Sequence, residues 1–292
     1  MAPRGALFRC RSYTALDQGW VDTESCTLVK SDGMHRHLAT ALLLLPFLVS
    51  CAKSPTGRRQ LQLIPDAQMN QLGNTSFAQM QQEMPTLKGG PMVDYVQCIS
   101  DAIVRAKGDD PKSWTVRVFD QPDVNAFALP GKNIGVYVGL IRVAKNASQL
   151  AAVVGHEVAH VEATHGEERM SQNMLAQTGL SVANALLFEG ESKNVAMGAL
   201  GVGAQFGVLM PFSRAHESEA DRIGLTYMAK AGFDPQQSVE LWRNMAKASG
   251  GQAPPEFMST HPSNETRIRD LQAAQSEVTR SANRPNCNRP TL

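Results

Sequence analysis

Aromatic residues are scarce in this chain: Phe, Tyr and Trp make up 6% of its 292 residues. Net charge is scarce too. Lys and Arg number 28 against 27 Asp and Glu, with no basic stripe, which argues against a nucleic-acid binder. No apolar run reaches the ~20 residues of a membrane-spanning helix. There are five cysteines, too few for a small disulfide scaffold, and a chain of this length buries a core without staples. No internal repeat with a period of about 20–50 residues is visible, and there is no low-complexity tail.

The first chemistry to appear is a targeting signal. "MHRHLATALLLLPFLVSC" begins at Met34 with a short basic start, runs apolar from Leu38 to Val49, and ends on a small residue and a cysteine. The ending "LVSC", Leu48 to Cys51, resembles a bacterial lipobox. It implies cleavage before Cys51 and lipidation of its thiol. Residues 1–33 precede this better start and read as an over-extended start or an N-terminal extension. Residues 1–50 are therefore set aside as extension and signal, 51–65 as a polar tether, and 66–292 as the folded domain. The set-aside part holds five of the basic and four of the acidic residues, so the remainder is formally neutral. In an oxidising compartment Cys98 and Cys287 could pair and tie down the C-terminal tail; two separate thiols are the alternative.

Beyond the tether, helix-like spacing runs from Met69 to Met84 and again over Val93, Val96, Ile99, Ile103 and Val104, ending at Gly108. "WTVRVFD" (114–120) alternates as a strand. "NAFALPGKNIGVYVGLI" reads as a hairpin-like pair of extended segments punctuated at Pro130-Gly131. From Ser148 the pattern turns helical, with Asn146 or Ser148 as cap. The Ala/Gly-rich stretch from Asn173 to Met210 reads as a pair of buried apolar helices; a membrane-touching or gating element is the alternative. Three more helices follow, with Gly232, Asp234 and Pro262 at their boundaries.

"GHEVAH" on the helix from Ser148 carries the central motif. His156 and His160 are four apart, about 40° from each other around a helix, so two imidazoles can converge on one cation. Glu157 sits at the edge of the same face and can reach a water on the metal without taking a ligand position. His165 lies about 140° from His160 and cannot join unless the helix breaks; it reads as a helix-end residue. Glu162, Glu167 and Glu168 read as surface charges. A third protein ligand is needed, and Gly166 occupies the position where an extended zinc signature places a third His. "SRAHESEAD" offers His216, Glu217, Glu219 and Asp221. Glu217 and Asp221 share a face, so one can bind metal while the other hydrogen-bonds a ligand imidazole. Periodicity does not choose between them, and it points Glu219 away.

"GHEVAH", "PFSRAHESEAD" and "STHPSNETRI", in this order, resemble the M48 zinc metallopeptidases, in particular their soluble, Oma1-like lipoprotein members. The resemblance extends over the tether "SPTGRRQL" and "NAFALPGKNIGVYVGL". It implies an α+β, mainly helical, zincin-like fold with a small antiparallel sheet and an HExxH helix. It also implies one Zn2+ per chain on His156, His160 and Glu217, with Glu157 as general base and Asp221 supporting a ligand histidine. His261 and Arg267 are implied to lie over the site as oxyanion stabilisers, with His261 able to approach the metal in a closed, latent form. Asn125, Ala126, Phe127 and Ala128 would form the edge that pairs with an extended peptide. One departure is "PGKN" where "PGGK" is expected, which touches the turn after Pro130.

The function expected is a zinc endopeptidase that cleaves unfolded or misassembled envelope proteins, lipid-anchored in the periplasm of a Gram-negative bacterium, most simply at the outer membrane. The rival is a lipid-anchored chaperone or assembly factor with a latent or structural zinc.

Overall fold

The computed structural model describes residues 51–187, 213–248, 256–261 and 265–291. The signal segment and the Ala/Gly-rich stretch beyond residue 187 lie outside the described residues. The described chain opens with a hairpin, β1 (Cys51–Lys53) and β2 (Arg59–Leu61), paired antiparallel with Ala52 opposite Gln60. Helices α1 (Asp66–Glu83) and α2 (Pro91–Lys107) follow, then strands β3 (Thr115–Phe119), β4 (Ala126–Leu129) and β5 (Asn133–Tyr137). Then come α3 (Val138–Val143), α4 (Ala147–Glu162), α5 (His165–Leu187), α6 (Arg214–Lys230), α7 (Gln237–Ala248), α8 (Glu256–Thr260) and α9 (Glu265–Ala274). The mainly helical α+β expectation holds, with one refinement. β5 sits between β3 and β4, antiparallel to β4 but parallel to β3, so the three-stranded sheet is mixed rather than antiparallel.

Local chemistry sets most of these boundaries. Asn146 caps α4, its Oδ1 accepting from the Gln149 N–H at 3.0 Å. Gly108 closes α2 in the left-handed region at φ 106°. The hairpin between β4 and β5 turns through Gly131 at φ 85° and Lys132 at φ 66°. Lys132 is the departure from the expected glycine, and it takes a left-handed conformation that glycine adopts at less cost. The segment "IGVYVGLI" is strand only as far as Tyr137, and the chain then coils into α3. Val138, Gly139, Leu140 and Ile141 are all buried, and a short, continuously apolar run carries no period that tells strand from helix.

α4 is the centre of the core. From Leu150 to His160 only Ala152 is not fully buried. α2 packs on one side of α4, α6 and α7 on others, and β4 runs beside it. Four aromatics gather elsewhere: Phe77 of α1 meets Phe119 and Phe127 of the sheet, which meet Tyr137 in turn, with ring centroids 5.7–6.2 Å apart. This cluster holds α1 against the sheet.

Two contacts fix the frame of the site. α4 and α6 cross at Gly155 and Gly224. A Cβ on Gly155 would meet the Gly224 carbonyl oxygen at 2.9 Å, and one on Gly224 would meet the His156 backbone nitrogen at 2.8 Å. The second contact is the 51–65 segment, expected as a tether. Its hairpin packs onto the body: buried Gln60 donates to the Ala163 carbonyl, and the Leu63 N–H donates to Ser171 Oγ at 2.9 Å. Several of its polar groups are satisfied by protein groups, Gln60 among them, which composition alone could not show. At the other end, Cys98 and Cys287 form a disulfide with Cα atoms 5.6 Å apart, tying the C-terminal segment to α2.

The first part of the Ala/Gly-rich stretch continues α5, and there Met174 and Leu175 are exposed rather than buried as expected. Among the described residues no helix is long and apolar enough to cross a membrane.

Gly155→Ala and Gly224→Ala should each destabilise the protein by about 1–3 kcal/mol, because the crossing has no room for a methyl group; thermal melts check this. Cys98→Ser with Cys287→Ser should lower stability by about 2–5 kcal/mol in denaturant titrations.

Candidate active site

α4 presents His156, Glu157 and His160, α6 presents Glu217 and Asp221, and the segment after α8 brings in His261. All six are buried. Four of them, His156, His160, Glu217 and His261, hold their donor atoms within 4.8 Å of one another. His156 Nε2 lies 3.0 Å from His160 Nε2 and 3.2 Å from His261 Nδ1. Glu217 Oε1 lies 3.1 Å from His261 Nδ1 and 3.4 Å from His160 Nε2.

These separations fit one small cation. Donors at about 2.0–2.1 Å from a tetrahedral zinc stand about 3.3–3.4 Å from each other. The chemistry fits as well. Asp221 Oδ1 sits 3.0 Å from His156 Nδ1, so the Nδ1–H donates to the carboxylate and the Nε2 lone pair points into the cluster. Three nitrogens and one carboxylate are a zinc donor set. Glu217 is an anion in this setting: burial pushes its carboxyl up, but its contacts with the His156, His160 and His261 imidazoles hold it well below the usual range.

Arg267 stands behind the ligands. It donates to Asp221 through Nε (2.6 Å) and Nη2 (2.8 Å), and its Nη1 is 2.5 Å from Glu217 Oε2. Its guanidinium lies 4.3 Å from the Trp242 ring centroid. It lines a small cavity beside His156, with Trp242 and Phe257, and not the cleft that reaches Glu157.

That cleft measures about 1120 Å3, open solvent included, and is lined by Met69, Leu72, Asn125–Pro130, Glu157, His160 and His261, among others. Among the described residues β4 pairs with β5 alone, so Ala126–Leu129 is one of the two edge strands of this sheet, and it lines the cleft. Asn125 precedes the strand, and its carbonyl accepts from the Tyr137 N–H at 3.0 Å. Glu157 Oε1 is buried without a hydrogen-bond partner, 3.5 Å from His261 Nε2. Burial pushes the Glu157 carboxyl up, against the opposing pull of His261, His156 and the Ala128 backbone.

Several residues read as bystanders are not. His165 is fully buried, its Nδ1 is 2.9 Å from His160 Nδ1, and its Nε2 is 3.1 Å from Glu219 Oε2. Burial and the neighbouring His216 push it down to about 4, so it is neutral. The helix breaks at Ala163–Thr164, with Thr164 at φ 49°, so projecting the α4 wheel through to His165 failed. Glu219, expected to point away, is buried and faces His165 because α5, not α4, supplies its partner. Glu168 is also buried, not a surface charge; it pairs with Arg58 and with His216. Glu167 is buried too, lines the cleft, and is pushed by burial up to about 7. Only Glu162 keeps a partly exposed place, paired with Lys107. Arg58 was missed altogether, since nothing in a polar tether marks one arginine from the next. The side chain of Cys51 lies outside the described residues.

Residues 94–275 match the model of Peptidase family M48. The chain is similar to the mitochondrial metalloendopeptidase OMA1 of Schizosaccharomyces pombe, 36% identical over 185 residues, which is 62% of this chain and 52% of that protein. It is 29% identical to the Bos taurus metalloendopeptidase OMA1 over 81% of this chain and 48% of that protein. It is also 29% identical to the beta-barrel assembly-enhancing protease of Escherichia coli (strain K12), over 68% of this chain and 42% of that protein. The chain thus spans about half or less of these relatives' length.

Asp221→Asn should weaken zinc binding by about 10–100-fold, because an amide holds the His156 tautomer less firmly than a carboxylate; competition with a chromogenic chelator measures it.

Proposed function

The chain belongs to peptidase family M48, and on that premise we propose that it is a zinc-dependent endopeptidase acting on unfolded or misassembled proteins of the cell envelope. The observation that carries the reading is the position of Glu157. Its unpartnered carboxylate oxygen lies beside the buried donor cluster, at the wall of a cleft bordered by an edge strand.

His156, His160 and Glu217 would hold the zinc. When bound, zinc supplies a Lewis acid for the scissile carbonyl and acidifies water. The chain's own residues supply the rest. The peptide lies extended along β4, and backbone pairing to Ala126–Ala128 orients it by β-augmentation. Such pairing reads main chain rather than side chains, which suits a preference for unfolded substrates. Glu157 takes the proton from the attacking water and returns it to the leaving amine as the C–N bond breaks. Its raised affinity for protons, from burial, suits both transfers. His261, on the cleft wall, is the residue placed to donate to the oxyanion. Arg267 acts behind the site by keeping Glu217 and Asp221 ionised and oriented.

A second reading draws on one observation: His261 Nδ1 is itself part of the donor cluster. Four protein ligands close a zinc site, as in structural centres. This supports a latent peptidase that opens when His261 withdraws, and it is also what a non-proteolytic assembly factor would have. Anchorage through a lipid on Cys51 and a periplasmic, outer-membrane location rest on the lipobox-like segment.

Glu157→Gln should keep one zinc per chain yet lose casein cleavage by at least about a hundredfold; chelator should abolish wild-type cleavage. Undiminished proteolysis by the variant would sink the mechanism. Full restoration of growth by that variant in a deletion strain would instead favour the assembly-factor reading.

A further inference from the structure

The N-terminal hairpin reaches the metal ligands through an unbroken chain of contacts, part-buried at the hairpin and buried from Glu219 inward. Arg58 Nε donates to Glu219 Oε2 at 2.8 Å, and Thr56 Oγ1 also donates to Glu219. Glu219 Oε2 faces His165 Nε2 at 3.1 Å, and His165 Nδ1 faces His160 Nδ1 at 2.9 Å. The direction of each hydrogen bond follows from the first. A carboxylate held by a guanidinium only accepts, so His165 Nε2 carries the proton. With its Nε2 protonated, His165 turns its Nδ1 to His160, and the two Nδ1 atoms at 2.9 Å hold one proton between them; on a His160 that binds metal through Nε2, that proton is its Nδ1–H, donated to His165. His160 is left with its Nε2 lone pair directed at the cluster. The opposite tautomer would put a proton where a metal has to bind.

We propose that Arg58 is a positioning residue of the metal centre, fixing through Glu219 and His165 the tautomer in which His160 can bind zinc. This rests on His160 being a zinc ligand, as read above. The two ligand histidines of α4 are thereby set by different means. His156 is oriented by a carboxylate in direct contact, Asp221. His160 is oriented at one remove, by Glu219 through a second imidazole. The far end of that relay is not in the HExxH region but in the segment that begins at Cys51. Arg58 is well placed for the task because it is itself clamped: Nη1 and Nη2 donate to Glu168 at 2.8 and 2.7 Å, and Glu168 Oε2 accepts from His216 Nε2 at 3.0 Å. His216 in turn stacks on His165 at 4.5 Å between centroids. Displacing the hairpin would remove Thr56 and Arg58 from Glu219 together.

The test uses the full chain in three forms, Arg58→Ala, Glu219→Gln and, as a control on its exposed neighbour in the hairpin, Arg59→Ala. Zinc dissociation constants come from chelator competition, and melts of the zinc-free proteins report folding. Arg58→Ala and Glu219→Gln should bind zinc about 10–100-fold more weakly than wild type, while Arg59→Ala should match it. A variant that loses melting temperature but keeps wild-type zinc affinity overturns the positioning role. Nitrogen-15 spectra of the histidines in the wild-type zinc form give a readout that needs no variant. His160 should be protonated at Nδ1 and metallated at Nε2, and the reverse overturns the relay. Should the wild type bind no zinc at all, the metal centre itself fails, a result separate from equal binding by wild type and variants.

Discussion

Gly155 and Gly224 let two helix backbones touch, and the site depends on that contact. His156 follows Gly155 directly, and Glu217 and Asp221 lie within two turns of Gly224. With α4 and α6 in backbone contact, short side chains suffice: Glu217 reaches both histidines and Asp221 reaches the back of His156. A Cβ at either glycine would strike the opposing backbone, not a side chain that could turn aside. Everything the cluster can do with a cation follows from donor atoms held about 3 Å apart, and close packing holds them there.

Buried charge is the second theme. Around the donor cluster, Asp221, Glu217 and Arg267 form one group, and Arg58, Glu168 and Glu219 another. Each carboxylate in them meets a guanidinium or an imidazole, which is the condition under which buried charges are tolerated. Glu157 is the contrast. It is equally buried, but its Oε1 lies 3.5 Å from His261 Nε2, beyond a good hydrogen bond, and burial pushes its proton affinity up. A group left in that state costs stability, and such costs gather where chemistry is done.

Much of this was legible before any coordinates. The four-residue spacing of His156 and His160 is a property of helix geometry, and the need for a third ligand is a property of the metal, so both could be read from the chain. The helix boundaries at Asn146 and Gly108 followed from capping chemistry. The misreadings differ in cause. His165 was projected along one helical wheel and sits beyond a break; Glu168 was read as a surface charge, and its partners come from other elements. Glu219 does point away from the donor cluster, but towards His165. Polar residues such as Arg58 and Gln60 looked like solvent-facing tether because sequence polarity says nothing of whether water or protein satisfies it.

The sequence by itself determined the two histidines of α4, the helix that spaces them and a short choice of carboxylates for a third ligand, because local periodicity and residue chemistry are encoded within a few positions. Only the tertiary structure decided which carboxylate meets which imidazole. It closed Glu217 and His261 onto the same point, set Arg267 behind the ligands rather than over the cleft, and joined β3 to β5 in parallel. These are contacts between residues tens to more than a hundred positions apart, chosen by the packing of backbones at glycines and by the pairing of buried charges.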